Sequence, residues 1–489
     1  MEWEMSLRRQ DVERCSLDRK SKTAVLVVAL FVLSGPAARA QSVNETPVKE
    51  FTLQEAVDFA LKNYPAVRAA MEQSNAARAG VGLARTDYLP RTDMLWQGNR
   101  ASRNNVFGLL LPQSVIPSVS GPVLSTTSGE GVWGSAAGLL LSWQPLDFGA
   151  RRARVDSARA AQSQADSQVA LTRLDVEVAT INSFLTLFAA EQTVHAAQAD
   201  VERREVFAKA VHVLVDAQLR AGADASRADA ELARARANLA RAQQQQETSR
   251  AALANILGIA DARVEVREGS LAQKPAQKVP AIPSLSTHPL AGAQRARVEE
   301  FRSQVRLLDR TYYPKFNLQS ALYGRGTGAN TDGTFQGGTN GLGIDRSNWA
   351  VGLTVTFPVL DIFSIRARKD IELANERAEA ARYDQTIQDL TGQLKKAQAS
   401  LEGARKVAEA TPVELQAARA TETQERARYQ AGLATLVDVS DAQSLLVQAE
   451  IDDALAQLAV WQNLASVSAA QGDLGPFLKF LKDKTQGGP

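Results

Sequence analysis

A very long stretch of this chain lacks both of the residues that most readily interrupt an α-helix. From residue 150 to residue 221 there is no glycine and no proline. Because an α-helix rises about 1.5 Å per residue, the stretch predicts one helix of roughly 100 Å that ends at Gly222. A helix of that length is far longer than those of globular domains, so it needs partner helices along its whole length.

The predicted long helix has a narrow apolar stripe and is followed by a second helical pattern. Ile181, Leu185 and Phe188 recur at helical spacing within the stripe. The second pattern covers 227–257 and stops at Gly258. Because a narrow, alanine-rich stripe suits packing between helices, the two segments predict an antiparallel hairpin that turns at a glycine.

The second half of the chain repeats the landmarks of the first half in the same order. Two prolines have equal spacing in both halves: Pro65 and Pro90, and Pro289 and Pro314. The Ala-Gly pair that closes the long helix at Gly222 recurs at Gly432. The repeat therefore predicts a second long hairpin, residues 362–472, that turns at Gly432.

The second hairpin is less regular than the first. Gly392, Gly403 and Pro412 interrupt its first helix, and Thr411-Pro412 resembles the start of a new helix. We therefore expect this helix to kink or break near Pro412.

Each half also contains two segments in which apolar residues alternate with small or polar ones. The clearest case is 349–357, where Trp349, Val351 and Leu353 share one face. The predicted strands are 93–98, 133–143, 316–323 and 349–357. Strands of about ten residues are long enough to cross a membrane when they are tilted.

Four such strands cannot form a complete transmembrane structure in a single chain. A barrel in lipid must close, because lipid offers no hydrogen-bond partner to an open edge. The smallest bacterial barrels have about eight strands. Two copies of the chain would supply eight strands and three copies would supply twelve, so spanning strands require oligomerisation.

The N-terminus is typical of a secretory signal peptide. Basic residues precede an apolar run, 24–33, and Ala38-Arg39-Ala40 then provides a small-residue cleavage site. The run is too short to span a bilayer. The only cysteine, Cys15, would be removed with this leader. The predicted division is a signal peptide (1–40), a first repeat (41–258), a connector (259–287), a second repeat (288–472) and a C-terminal tail (473–489). The connector is expected in the equatorial region, around the middle of the helical part.

Composition argues against enzymatic and nucleic-acid-binding functions. With one cysteine and three histidines, the chain offers no Cys/His metal cluster. No Ser/His/Asp set and no glycine-rich phosphate loop after a strand can be placed. Basic and acidic residues nearly balance, 56 against 54. We expect neither an enzyme nor a cofactor, and no nucleic-acid partner.

Short motifs complete the duplicated pattern. Leu53-Gln54-Glu55-Ala56 forms a capping box with Thr52 and is followed by Asn63-Tyr64-Pro65. Tyr429-Gln430-Ala431-Gly432 precedes Asp438-Val439-Ser440-Asp441-Ala442. With these motifs in this order, the chain resembles the TolC-like outer-membrane efflux protein family over essentially all of its mature length.

The resemblance implies a complete architecture and a set of partners. The fold would be mainly α with transmembrane β: duplicated long helical hairpins and four strands per chain. A homotrimer would form a 12-stranded barrel in outer-membrane lipid and an α-helical tunnel in the periplasm. It would dock onto a periplasmic adaptor, or membrane fusion protein, and an inner-membrane pump. It would conduct substrates passively, as part of a tripartite efflux or type I secretion system.

The resemblance also assigns roles to residues near the two hairpin tips. It implies that the tips at Gly222 and Gly432, with Leu433 and Leu436, form the periplasmic entrance and contact the adaptor. Tyr429 would hydrogen-bond a neighbouring hairpin and hold the entrance shut.

Two acidic residues follow the second tip. Asp438 and Asp441 lie three positions apart and therefore face the same side of a helix. Three-fold symmetry would set them as two stacked acidic rings, a constriction that favours cations. The alternative is that they simply cap or solvate the returning helix.

The chain departs from the family pattern at Ala434. Family members with a charge-locked entrance often have a basic residue two positions after the tip glycine, and alanine stands there in this chain. We therefore expect looser closure, which depends on Tyr429 and on hydrophobic contacts of Leu433 and Leu436.

Two other functional classes compete with the channel. A periplasmic coiled-coil adaptor or structural protein would also contain long hairpins, but adaptors have one hairpin per chain between β-rich domains. A periplasmic enzyme would need a catalytic set that the residues do not supply. Drug, metal and protein cargoes are all compatible with the sequence.

Overall fold

A computed structural model describes residues 48–102, 129–267, 271, 285–330, 332 and 334–486. The predicted signal peptide, most of the loop at 101–131 and the central part of the predicted connector lie outside the described residues.

Eight α-helices, a short 3-10 helix at Leu285–Thr287 and six strands form the described part of the chain. The helices are α1 (Leu53–Asn63), α2 (Pro65–Thr86), α3 (Ala150–Asp216), α4 (Gly222–Ile256), α5 (Pro289–Arg310), α6 (Asp361–Gln430), α7 (Leu436–Gln471) and α8 (Gly475–Gln486). The strands are β1 (Val48–Phe51), β2 (Arg91–Ser102), β3 (Gly131–Trp143), β4 (Arg263–Val266), β5 (Lys315–Thr327) and β6 (Arg346–Thr356). Within these ranges, no helix is both long and apolar enough to cross a bilayer.

Two short helices lie end to end along each long helix. Helices α2 and α4 both pack on α3, whereas α5 and α7 both pack on α6 and also contact α3. Glycines with positive φ make the close approach at the two joints. Gly258 has φ 73°, and a Cβ there would lie 3.3 Å from the carbonyl oxygen of Asn63. Gly472 has φ 83°, and a Cβ there would lie 2.7 Å from Cδ2 of His288.

The main hydrophobic core surrounds these joints. It brings together side chains of α1, α3, α4, α7 and α8, of which Phe184, Leu253 and Trp461 are completely buried. The two-stranded parallel sheet of β1 and β4 contributes Val264 to the same core. The helix α8 lies in the predicted C-terminal tail, and its Phe477 packs edge-on against Trp461 with ring centroids 6.3 Å apart.

The four longer strands form one antiparallel sheet in the order β2-β3-β5-β6. The register aligns Leu139 with Leu322, and Leu322 with Trp349, on the same face. Apolar side chains on this face are largely exposed, including Trp96 at 74% and Trp349 at 78%. Within the described chain, β2 and β6 each pair on one side only. All four strands extend beyond at least one of their predicted limits.

The expected break at Pro412 does not occur. Helix α6 continues as α-helix through Pro412 to Gln430. The hydroxyl of Thr411 donates a 2.9 Å hydrogen bond to Asp453 of α7, and α7 packs along α6 on both sides of this point. Proline removes one intrahelical hydrogen bond, and extended packing against a neighbouring helix offsets that local cost.

Residues 341–345 fold back onto the sheet at the end of β5 that contains Arg325 and Gly326. The amide of Asp345 donates a 3.0 Å hydrogen bond to the carbonyl oxygen of Arg325. A Cβ on Gly326 would overlap the carbonyl oxygen of Gly343, so the segment can lie here only because Gly326 has no side chain.

We expect Gly326→Ala to displace this segment from the sheet, because backbone cannot yield as a flexible side chain does. Gly337→Ala is the matched control, since nothing lies within 4 Å of a Cβ at Gly337. Limited proteolysis of the purified protein provides the measurement. Gly326→Ala should accelerate cleavage within 334–345, and equal cleavage rates in the two variants would contradict the packing.

Candidate functional site at the hairpin tips

The first tip reverses at a residue that the sequence did not single out. After α3, the amide of Gln218 donates to Val215 and the amide of Leu219 donates to Leu214, each at 2.9 Å. Gln218 has φ 59°, in the left-handed region. This hydrogen-bond pattern ends many helices. The prediction that Gly222 makes this turn is therefore wrong: Gly222 is the first residue of α4.

The second tip has the same geometry, and glycine takes the left-handed position. The amide of Gly432 donates to Tyr429 at 3.0 Å, and the amide of Leu433 donates to Arg428 at 2.8 Å. Gly432 has φ 77°. Because the two tips use the same bonds, Gln218 and Gly432 are structurally equivalent. The alignment of Ala-Gly pairs used in the sequence analysis is displaced by four residues.

The leucines at the tips differ in their exposure. Leu433 and its equivalent Leu219 are 71% and 70% exposed. Leu436 is only 3% exposed and belongs to a cluster with Val211 and Tyr429 between the two hairpins. Leu433 is thus free for a partner in the isolated chain. Leu436 is not accessible there, and its predicted role in adaptor contact does not fit its burial, because the hairpins pack over it.

The equivalence of the tips extends into the returning helices. Ala221 precedes α4 and Thr435 precedes α7, so Asp224 and Asp438 are both the third residue of their helix. Thr435 forms a capping box, in which its amide and hydroxyl each donate to Asp438 at 2.8 Å. Ala221 has no hydroxyl to form such a box. The carboxylate of Asp224 is therefore free to reach the other hairpin.

The two acidic residues predicted at the entrance have different surroundings. Asp438 and Asp441 are both exposed on α7. The backbone and side-chain hydrogen bonds from Thr435 lower the pKa of Asp438. Asp438 thus takes part in the cap of α7 while its carboxylate stays exposed. Asp441 lies about one helical turn further on.

Tyr429 contacts the first hairpin through both its ring and its hydroxyl group. Its side chain is buried, and the ring of Phe207 on α3 packs edge-on at a centroid distance of 5.4 Å. The hydroxyl lies 3.5 Å from Oδ2 of Asp224, which is a long hydrogen bond. Burial, followed by the charge of Asp224, raises the pKa of Tyr429. The predicted contact with a neighbouring hairpin thus occurs within one chain.

Arg220 is the tip residue that sequence reasoning missed. Its Nη2 donates a 2.6 Å hydrogen bond to the carbonyl oxygen of Tyr429. Its guanidinium carbon also lies 4.3 Å from the centroid of the Tyr429 ring. The signal was present in the repeat, because Arg220 and Ala434 each lie two residues after the reversal. The equivalence of positions 220 and 434 becomes visible only when Gln218 is aligned with Gly432.

A second set of contacts joins the two hairpins further from the tips. Arg203 on α3 makes two hydrogen bonds to Glu450 on α7, the shorter at 2.8 Å. The neighbouring Arg204 is buried, forms an ion pair with Asp200 at 2.9 Å and donates to Ser444 on α7 at 3.1 Å. From these arginines α3 continues for roughly 18–20 Å, at 1.5 Å per residue, before it ends at Asp216 ahead of the tip.

Asp229, another carboxylate near the first tip, pairs within its own hairpin. Asp229 on α4 lies 2.8 Å from Nε2 of His212 on α3, and this hydrogen bond raises the pKa of His212. In the described part of the chain, no group of His, Cys, Asp and Glu side chains is arranged to hold a metal ion.

Comparison with known proteins identifies the family. Residues 56–259 and 284–473 match the model of a family described as outer membrane efflux protein. The chain belongs to this outer membrane efflux protein family. It is 27% identical over 444 residues to protein CyaE of Bordetella pertussis. The aligned region covers 87% of this chain and 85% of CyaE.

Solved channels of low sequence identity share the fold. The CmeC outer membrane channel of Campylobacter jejuni has 18% identity and a TM-score of 0.68, covering 88% of this chain and 89% of that one. The open state of the Neisseria gonorrhoeae MtrE outer membrane channel has 20% identity and a TM-score of 0.67, covering 86% and 89%. The prediction of an outer-membrane efflux protein is confirmed, and the alternative of an adaptor or structural protein is set aside.

We expect Thr435→Ala to weaken the start of α7, because the capping box is lost. Loss of a threonine cap costs about 1 kcal/mol of helix stability. Amide hydrogen exchange in the first turn of α7 should accelerate several-fold. Asp441→Asn is the control, since Asp441 lies beyond the capping box, and its exchange rates should match those of the unmodified protein.

The same experiment has a defined pH dependence. The folded pKa of Asp438 is lowered, so its capping contribution is complete above the ordinary aspartate pKa of about 4. It is lost as the pH falls through the lowered folded value. The difference between Thr435→Ala and the unmodified protein should therefore shrink in acid, and a constant difference would contradict the role of Asp438.

Proposed function

We propose that the chain is the outer-membrane conduit of a tripartite efflux or type I secretion system. It works as a homotrimer whose strands form a 12-stranded barrel in outer-membrane lipid. Its helical hairpins extend into the periplasm and meet a periplasmic adaptor and an inner-membrane pump. Substrates pass through it by diffusion, and the chain is not an enzyme. Family membership and the likeness to the CmeC and MtrE channels support this proposal.

The observation that carries the proposal is the open, apolar-faced sheet. Strands β2 and β6 each pair on one side only within the described chain, and one face of the sheet exposes apolar side chains. Lipid can cover the apolar face but cannot satisfy the backbone of an open edge. Pairing β2 of one copy with β6 of the next satisfies both edges. Three copies then give a closed barrel of twelve strands, within the size range of such barrels.

The tips are the proposed entrance and adaptor contact. Leu219 and Leu433 expose apolar surface at equivalent positions of the two tips. Exposed apolar side chains of this kind mark interaction surfaces when several come together. In a trimer these two positions would supply six such leucines at one end of the helical domain. Gly222 and Gly432 lie at the same tips, and Leu436 supports them from within.

The acidic residues after the second tip are the proposed selectivity element. Asp438 and Asp441 are exposed and lie on the same side of α7. Three-fold symmetry would turn each into a ring of three carboxylates, which favours cations in a narrow passage. The capping bonds to Thr435 also keep Asp438 ionised over a wider pH range, because they lower its pKa.

We expect protein extracted from purified outer membranes to have the mass of three protomers after correction for detergent. Sedimentation velocity or light scattering provides the measurement. A trimer is the smallest assembly that gives twelve strands. A stable monomer recovered without detergent would contradict the channel, and a dimer would contradict the twelve-stranded barrel.

We expect Asp438→Asn and Asp441→Asn together to lower the cation-to-anion permeability ratio by roughly twofold or more, because each copy loses two carboxylates from the entrance. Reversal potentials in planar bilayers under a KCl gradient provide the measurement. Glu402→Gln is the control, since Glu402 is an exposed carboxylate on α6, far from the tip, paired with Lys406 at 2.8 Å. Equal shifts in both variants would contradict acidic rings.

A further inference from the structure

The two tips differ at the position two residues after the reversal, where only the first tip has a charged residue. The residue two positions after the reversal is Arg220 in the first tip and Ala434 in the second. In the second tip the side chain is a methyl group, 9% exposed, within the cluster between the hairpins. In the first tip the guanidinium crosses to the other hairpin. The chain therefore has a cation between its hairpins although Ala434 supplies none.

Arg220 binds two features of Tyr429 at once. Its Nη2 lies 2.6 Å from the Tyr429 carbonyl oxygen, and its guanidinium carbon lies 4.3 Å from the ring centroid. That carbonyl is in the last turn of α6, where helix carbonyls lack intrahelical partners and the helix dipole favours a cation. The amide of Gly432 also donates to this oxygen at 3.0 Å. Hydrogen bond, ring contact and helix dipole all favour the same position of Arg220.

The Arg220 contact is stronger than the neighbouring contact of the tyrosine hydroxyl. The Tyr429 hydroxyl lies 3.5 Å from Asp224, where a hydrogen bond is weak. Both contacts involve an ionised group, but the bond from Arg220 is only 2.6 Å long, a distance at which such bonds are strong. It is also partly shielded from water, because Arg220 is half-buried and Tyr429 is 1% exposed. Of the polar contacts to Tyr429 from the first hairpin, the one from Arg220 therefore dominates.

The position of Arg220 separates its effect from that of the upper contacts. Arg203 and Arg204 hold α3 against α7 roughly 18–20 Å from the end of α3 at the tip, at 1.5 Å per residue. They can keep the hairpins together while the tips move. Arg220 lies at the very end of the hairpin pair, where separation of the tips must break its contact with Tyr429.

We infer that Arg220 is the latch that holds the second hairpin tip against the first, and that it replaces the basic residue absent at Ala434. This inference rests on the proposed conduit function. Arg220 is a positioning residue: it acts by holding Tyr429 and the end of α6, and it needs no contact with the substrate. Without it, the tips of α6 and α7 separate more readily from α3 and α4, and the entrance opens more often.

The test is single-channel recording of the full-length trimer in planar bilayers. Loss of a charge-assisted hydrogen bond shifts a two-state equilibrium by about tenfold. We expect Arg220→Ala to raise the ratio of open to closed dwell times by about that factor. Arg220→Lys should give a smaller increase, because lysine keeps the charge but cannot stack its head group as a plane.

Two further variants make the result decisive. Arg227→Ala is the matched control, because Arg227 is an exposed arginine of the same tip, on α4. It should leave the dwell times unchanged. Arg220→Gln removes the charge at similar length, and it replaces Arg220→Ala if the alanine variant fails to assemble. Thermal unfolding of each variant separates loss of stability from loss of closure, since a latch changes dwell times at an unchanged melting temperature.

The outcomes distinguish failure of the latch from failure of the channel. If the unmodified trimer conducts and Arg220→Gln has the same dwell times as Arg227→Ala, the latch is wrong and the conduit stands. If the unmodified protein forms no channels, the proposed function itself fails. If Arg220→Gln raises the open-to-closed ratio and Arg227→Ala does not, the latch is supported.

Discussion

The length of α3 and α6 is the constraint on which the other helices depend. A helix that long is stable in water only if other helices cover its apolar stripe from end to end. Neither long helix has one partner of equal length, so two shorter helices meet beside it. Gly258 and Gly472 permit that meeting, because each brings the end of one helix against the start of the next with no side chain between them. The largest core cluster, with Phe184 and Trp461, lies where the partners meet, since helix ends leave the most surface to cover.

The four-stranded sheet has edges and an apolar face that the single chain leaves uncovered. Its strands satisfy one another in the interior, but β2 and β6 remain open, and its exposed face is apolar. A soluble protein would blunt such edges or cover such a face. The helices therefore pack against partners within the chain, whereas the sheet keeps two open edges and an apolar face that the proposed barrel would cover. This difference fits the proposed channel, in which the helical part is surrounded by water and the edge strands β2 and β6 pair with those of other copies.

Much of this architecture is visible in the sequence because its signals are long and repeated. The stretch without glycine or proline predicts α3, and the strict alternation at 349–357 predicts β6. Errors arise where the geometry of a helix end or a tertiary contact overrides the signal of a single residue. Gln218 takes the left-handed position expected of Gly222, since the last turn of α3 sets the reversal. Helix α6 continues through Pro412, since α7 packs along it. Arg220 was missed because its role depends on a contact with the other repeat, which no local pattern records.

The difference between the tips follows from two pairs of equivalent positions, the cap of the returning helix and the residue two positions after the reversal. Asp224 and Asp438 are both the third residue of a returning helix, but only Thr435 offers a hydroxyl at the preceding cap. Asp438 is therefore held within its own helix, and Asp224 is free to approach Tyr429. Alanine at this cap in the first tip, where the second tip has threonine, leaves Asp224 to approach the other hairpin, as Arg220 also does. The contact between the hairpin tips thus depends on residues that differ between the two repeats, even though the two backbones turn in the same way.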